Sequence, residues 1–452
     1  MSKLKLAELI GSLSYALDLT EGQPAGHCVR CCWIGMHVGR HLGMRDDELW
    51  TLYYTLLLKD LGCSSNAARI CELYLTDDRD FKRDFKRVGS STPQVLAFVV
   101  SRTGPHAGWR RRLGAILNIV RNGDAVAQEL IQTRCSRGAA IARQLRFPES
   151  VALAVHGLDE HFDGSGRPEG LRGDAIPLAS RIALLAQVVD VFHFNDGVVA
   201  AIAEARARAG SWFDPALVAA LEAVGQQPGF WSMLASDAVE LAVQALEPES
   251  QTVELDEDYL DAIAAAYGEV VDAKSPFTAG HSQRVGHYAD LIARELGLPA
   301  TRRRWLRRAA VLHDVGKLGV SNTILDKPAR LDPDEWAAVQ RHATYTEQIL
   351  SRVSPFAELA RVSAAHHERL DGTGYPRGLA ADEIALETRI ITVADIFDAI
   401  TAERPYHPPT PVTQTLEIMR ALVGTAIDAV CFAALERVAG LEAEAEAEAE
   451  VA

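Results

Sequence analysis

Histidines and acids recur in one order through the second half of the chain: His281, His313, Asp314, His342, His366, His367 and Asp395. Imidazoles mixed with carboxylates suit Fe, Mn or Zn. A carboxylate can bridge two ions, and Asp314, next to His313, is the natural bridge. Two neighbouring ions can hold a bridging hydroxide and clamp a phosphodiester for in-line attack. Lys317, just after Gly316, is placed to neutralise a phosphate oxygen. A lone histidine is usually a packed imidazole, but an ordered set of this kind points to a metal centre. His287 and His407 fit no part of the pattern.

The densest stretch is His366-His367-Glu368-Arg369-Leu370-Asp371-Gly372-Thr373-Gly374-Tyr375-Pro376. Residues 349–365, before it, read as helix. Adjacent helical positions point about 100° apart. His366 and His367 are therefore expected to face two neighbouring ions rather than chelate one together. The Asp-Gly-Thr-Gly turn has two residues free to take φ > 0, and Tyr-Pro stiffens its exit. Glu368 and Asp371 read equally well as acids or as turn and helix-end residues.

The elements that must position these groups are helical. Apolar residues recur at helical spacing over 4–19, 29–42, 48–61, 113–130, 137–145, 177–194, 215–224 and 230–246. The second half repeats this over 259–271, 282–296, 302–313, 333–353, 356–366, 387–402 and 410–422. Strand signals are few, so the fold class is all-α.

The chain also repeats itself. Gly26-His27-Cys28-Val29-Arg30 resembles Gly280-His281-Ser282-Gln283-Arg284, and Leu58-Lys59-Asp60-Leu61-Gly62 resembles Leu312-His313-Asp314-Val315-Gly316. Asp159 to Pro168 resembles His367 to Pro376, and Asp190-Val191-Phe192 matches Asp398-Ala399-Ile400. The order is kept throughout, which describes two copies of one helical domain. The copies differ in chemistry. Where the second has His313, His366, His367 and Asp395, the first has Lys59, Leu158, Asp159 and Gln187. His342 is answered by Arg134 or Cys135, and Lys317 by Cys63. The first copy is thus degenerate and expected to hold no dinuclear centre. It carries an insert around 64–133, read as a solvated segment or, alternatively, a docking or ligand surface. The expected domains are residues 1–247, 248–440 and a Glu/Ala tail over 441–452.

The chain has 452 residues and a formal charge of −15, with five of its acids between Glu442 and Glu450. That balance disfavours a nucleic-acid polymer as partner. Met1 to Leu13 lacks the apolar core of a secretion signal, and no apolar run reaches the length of a membrane span. No membrane association and a cytoplasmic location are expected. Seven cysteines without paired spacing argue against a disulfide framework. Cys28, Cys31 and Cys32 read as packing thiols rather than zinc ligands.

Leu312-His313-Asp314-Val315-Gly316-Lys317, His366-His367-Glu368 and Asp371 to Pro376 together resemble the HD-GYP phosphohydrolases, and the likeness continues through Val393 to Ala399 and Arg404-Pro405-Tyr406. It covers about residues 256–435. The resemblance implies tandem helical HD-type domains, the C-terminal one HD-GYP. It implies two divalent ions, iron or manganese, held by the seven residues above, with Asp314 bridging. It implies hydrolysis of cyclic di-GMP to pGpG or GMP. Asp314 and Lys317 would act in catalysis, and Lys317, Gly374, Tyr375, Pro376 and Arg404 would meet the substrate. The Gly374-Tyr375-Pro376 loop is also linked to signalling protein partners. Phe277 stands where some members place a glutamate for a third ion, so two ions are expected. The alternatives are a non-catalytic receptor for a cyclic dinucleotide or protein, or a hydrolase of another nucleotide such as a mixed cyclic dinucleotide. A homodimer is a further expectation.

Overall fold

The computed structural model describes residues 6–89, 92–249, 255–402 and 409–451. Among these, regular structure is helical, with three isolated β-bridges and no strand. The chain forms two compact units. One comprises the described residues up to Tyr259 with Ser321–Thr323, and the other Leu260–Val320 and the residues from Ile324 onward.

Each unit is built on the same packing. In the C-terminal unit helix His281–Glu295 packs on Ala300–Val311 and Leu386–Thr401, while Pro333–Leu350 packs on Ala357–Ala364 and on the tight turn Val315–Gly319. In the N-terminal unit His27–His41 packs on Asp46–Leu58 and Leu178–Ala207, while Trp109–Gln144 packs on Glu149–His156 and the turn Cys63–Asn66. Local signals set these elements. Asp332 accepts a hydrogen bond from Glu335 N at 2.9 Å, and Glu335 Oε2 accepts from Asp332 N at 2.8 Å. This reciprocal cap, with Pro333 at the first helical position, starts the His342 helix where its orphan amides need partners.

Four expectations need correction. Residues 113–130 and 137–145 belong to one helix, Trp109–Gln144. Residues 230–246 form two short helices, Phe230–Leu234 and Val239–Gln244. The insert is not simply solvated: Ile70, Leu73, Tyr74, Phe81, Val99, Ile119 and Val126 pack as a core of their own. Against the reading that no run reaches the length of a membrane span, Leu178–Ala207 is long and apolar enough by length and composition alone, although its helical path breaks at Gly197 (φ 83°, ψ 179°). However, 56% of its apolar window is buried within the fold, as in a core helix. All seven cysteines are free thiols.

Candidate metal centre

Three histidines are aimed by the same device. Nδ1 of His313 lies 2.6 Å from the Ala310 carbonyl, that of His342 2.6 Å from Val339 O, and that of His366 2.7 Å from Ser363 O. A carbonyl only accepts, so Nδ1 carries the proton and the Nε2 lone pair points inward. His281 differs: its Nδ1 meets Asp398 Oδ2 at 2.7 Å, and Arg284 Nε donates to Asp398 Oδ1 at 2.6 Å. His281 starts its helix directly after Gly280.

The Nε2 atoms converge on Asp314, each of its two oxygens facing a different set. Oδ2 lies 3.5 Å from His281 Nε2 and 3.2 Å from His313 Nε2. Oδ1 lies 3.4 Å from His342 Nε2 and 3.7 Å from His366 Nε2. Asp395 Oδ1 completes the first set, 3.3 Å from His281 Nε2 and 3.6 Å from His313 Nε2. His367 completes the second: its donor atom and those of His342 and His366 lie within 4.8 Å of one another. His366 also groups with His313 and Asp314, so it stands within reach of both sets. The helix ends at Ala364, so His366 and His367 sit on a turn where helical angular spacing does not apply.

The site is buried and short of hydrogen bonds. His281 Nε2, His313 Nε2 and Asp314 Oδ1 make none, because the neighbouring carboxylates and imidazoles are close but not aligned as donor and acceptor. Buried polar atoms left this way are costly unless something coordinates them. The donors are imidazole and carboxylate, the set that suits a divalent transition metal. The residues therefore fit a pair of ions.

The electrostatics divide along the same line. Burial pulls His313 toward its neutral form, but Asp314 and Asp395 outweigh it and push the imidazole up to about 9. Burial holds His342 down to about 3 and His367 to about 4, so both offer free lone pairs at neutral pH. Burial opposes ionisation of Asp314, yet Lys317 and His313 hold its carboxyl well below the usual range. The first set thus pairs two carboxylates with imidazoles that they keep protonated, protons that a bound cation would displace.

Other predicted residues fall into place around this centre. The Lys317 ammonium pairs with Asp314 and is partly open to solvent. The Tyr375 ring lies 4.8 Å from that of His367. Gly374 is required for room rather than for positive φ, since a Cβ there would lie 2.4 Å from Arg369 N; Gly372 takes φ 74°. Glu368 and Asp371 are turn residues: Glu368 accepts from Arg377 N and Leu379 N, and Asp371 from Thr373 N. Pro376 follows Tyr375 in the same turn, and Arg404 lies outside the described residues. Sequence reasoning missed Asp398 and Arg284 as supports of His281. Their signal was the repeat itself, because His27, Arg30 and Asp190 make the same contacts at 2.7 Å.

The N-terminal unit shows what replaces the ligands. A Cβ on Gly316 would meet the His342 carbonyl at 1.9 Å, and one on Gly62 would meet the Arg134 carbonyl at 1.9 Å. Arg134, not Cys135, therefore answers His342. Buried Lys59 pairs with Asp60 and donates to Gln187 Oε1 at 3.1 Å, and Arg134 pairs with Asp159. The insert adds Lys86 Nζ, 2.9 Å from Glu21 and 3.9 Å from Asp60, and Lys82 Nζ, 3.5 Å from Glu21.

A repeated helical pair around an aligned histidine–aspartate cluster defines the HD class of phosphohydrolase, and comparison with known proteins agrees. The HD domain family matches residues 106–217 and 267–430, more than half of the chain. The chain belongs to the HD domain family, as an HD-GYP-type phosphodiesterase. It is 57% identical over 436 residues to the 3′3′-cGAMP-specific phosphodiesterase 3 of Vibrio cholerae, covering 96% of this chain and 95% of that one. It is 38% identical over 170 residues to a cyclic di-GMP phosphodiesterase of Thermotoga maritima, covering 37% of this chain and 46% of that one. A crystal structure of a cyclic GMP-AMP specific phosphodiesterase of V. cholerae matches 96% of this chain and 98% of its own at 52% identity, with a TM-score of 0.67.

Proposed function

We propose that the C-terminal unit hydrolyses a 3′3′-linked cyclic dinucleotide, with 3′3′-cGAMP favoured over cyclic di-GMP. The observation that carries the chemistry is the division of Asp314 between two sets of imidazoles. The preference for a mixed dinucleotide is supported by the relative named for 3′3′-cGAMP, which is alike along almost the whole chain. The relative from T. maritima named for cyclic di-GMP is alike over 37% of it.

In this reading His281, His313 and Asp395 hold one divalent ion, His342, His366 and His367 hold the other, and Asp314 lies between them. Iron or manganese is proposed as the metal. The ions, when bound, supply Lewis acidity toward the phosphate and lower the pKa of water. The chain's own residues do the rest. The Nδ1–H···O=C bonds of His313, His342 and His366 and the Asp398 contact of His281 aim their Nε2 atoms at the centre. Lys317 exchanges part of its contact with Asp314 for a phosphate oxygen as charge builds there. Gly374, Tyr375 and Pro376 form the wall on the substrate side. Water attacks phosphorus, the phosphorus–O3′ bond breaks, and the proton leaves on O3′. Linear dinucleotide is the first product.

The N-terminal unit is proposed to hold no dinuclear centre, since Lys59 and Arg134 set fixed cations at the ligand positions. The domains are assigned as residues 1–247 and 248–440, with a tail over 441–452. Turnover assays on 3′3′-cGAMP and cyclic di-GMP with added Mn or Fe test the function. His313→Ala or Asp314→Ala should abolish turnover with the helical circular dichroism retained. Near-normal turnover in either variant refutes the assigned centre. Tight binding without turnover in the wild type would favour a receptor.

A further inference from the structure

Trp336 is a large aromatic left 48% exposed, six residues before His342 on helix Pro333–Leu350. Its ring meets Tyr375 edge to face, at 6.2 Å between centroids and 83° between planes. Tyr375 in turn lies 4.8 Å from the His367 ring and 6.2 Å from that of His342. A line of rings thus runs from solvent to the candidate centre, and Trp336 is its outer end.

The N-terminal unit is a control within the same chain. The register set by Gly62 and Gly316 places Gln128 at the position of Trp336 and Arg167 at that of Tyr375. Gln128 Nε2 donates to the Pro168 carbonyl at 2.9 Å, so the helix there is tied to the turn by a hydrogen bond. Packing that turn onto that helix therefore needs no aromatic pair. Both aromatics are missing from the unit that also lacks the histidines. The pair accompanies the site, not the fold.

We infer that Trp336 is a substrate-binding residue that stacks on one purine of the cyclic dinucleotide while the phosphate lies at Asp314 and Lys317. The inference rests on the phosphodiesterase reading above and adds the group that holds the base. An indole offers a wide face with an electron-rich surface, and a purine stacks on it whatever its hydrogen-bonding edge. Trp336 would then contribute affinity, while discrimination of adenine from guanine falls to polar groups around it.

The test is steady-state kinetics of the metal-loaded full-length enzyme on 3′3′-cGAMP. In Trp336→Ala, KM should rise roughly tenfold or more, as loss of one base–aromatic stack predicts, with kcat within about twofold. Trp336→Phe, still flat and aromatic, should recover most of the loss. Trp336→Leu, apolar but not planar, should not. An unchanged KM in Trp336→Ala overturns the inference. So does a fall in kcat as large as the rise in KM, which would mark Trp336 as a prop for the Tyr375 turn. So does recovery by leucine equal to that by phenylalanine. A wild type that hydrolyses no cyclic dinucleotide fails earlier, and removes the substrate reading along with the stack.

Discussion

Asp398 shows how much a residue outside the ligand set can control. It is the only carboxylate among the described residues recorded at hydrogen-bond distance from His281 Nδ1, and Arg284 holds it from the other side. Burial resists its ionisation, but His281 and Arg284 keep its carboxyl below the ordinary range. Such partners fix the tautomer and ring orientation of a metal-binding histidine, and losing one typically costs about 10- to 100-fold in metal affinity or activity. Asp398→Ala should lower apparent affinity for Mn by about that factor, read as the metal concentration giving half-maximal turnover. Unchanged metal dependence would show that Asp398 serves packing alone. The ligand order was legible in the sequence because seven capable side chains kept one order. Asp398 was legible only through its match to Asp190 in the repeat, because nothing in its own neighbourhood marks it before the Leu386–Thr401 helix lies against His281.

At the scale of elements, the turn Val315–Gly319 against helix Pro333–Leu350 sets the distance between the two halves of the site. Gly316 N donates to Thr346 Oγ1 at 3.0 Å, and Thr346 Oγ1 donates to the His313 carbonyl at 3.0 Å. A methyl at position 316 would sit 1.9 Å from the His342 carbonyl. Backbone cannot yield as a side-chain tip can, so Gly316→Ala must push His342 away from Asp314. Overpacking of this kind costs about 1–3 kcal/mol. We expect a lower urea midpoint together with a loss of kcat, and preserved activity at lowered stability would mean the helix shift does not reach His342. Helix periodicity revealed most elements but not their joints. Residues 109–144 form one helix although Gly114, Gly123 and the polar run Gln132-Thr133-Arg134 interrupt its apolar pattern. The break between Phe230–Leu234 and Val239–Gln244 falls in a stretch where apolar spacing continues, and Ser236 Oγ instead accepts from Ala238 N at 3.1 Å. In the insert, apolar residues are spaced among charges, so its core was hidden until the helices folded onto one another.

Across the molecule, the two units solve the same electrostatic problem differently. In the N-terminal unit the anions Asp60, Glu21 and Asp159 are matched by covalently attached cations, Lys59, Lys86, Lys82 and Arg134. Burial raises Glu21, but Lys86 and Lys82 outweigh it and hold the carboxyl at about 2, against 4.5 for the ordinary group. A depressed folded-state value favours the ionised, folded form. Its stabilisation is complete above pH 4.5 and is lost as pH falls from there toward 2. Asp18 runs the other way: burial raises it from 3.8 to about 6, so its cost to folding grows between those values and is full above them. Glu21→Gln should therefore flatten the acid-side fall in amide-exchange protection of helix Asp46–Leu58, while Asp18→Asn should raise protection at pH 7. An acid limb unaltered by Glu21→Gln would contradict the buried pairing. In the C-terminal unit Lys317 is, among the described residues, the only lysine or arginine recorded on the central carboxylate, and the other groups facing it are imidazoles, which can exchange a proton for a metal ion. Ions that bind the folded form alone also stabilise it.

The claim under all of this is that seven side chains, Asp314 at their centre, bind a pair of divalent ions and that turnover needs both. The direct measurement is the metal-to-protein ratio of anaerobically purified full-length protein, followed through chelation and stepwise readdition alongside 3′3′-cGAMP hydrolysis. The account predicts a ratio near two, activity that returns only as the second ion is filled, and neither in Asp314→Ala. Full hydrolysis by protein stripped of metal, or a ratio of two that survives Asp314→Ala, would contradict it.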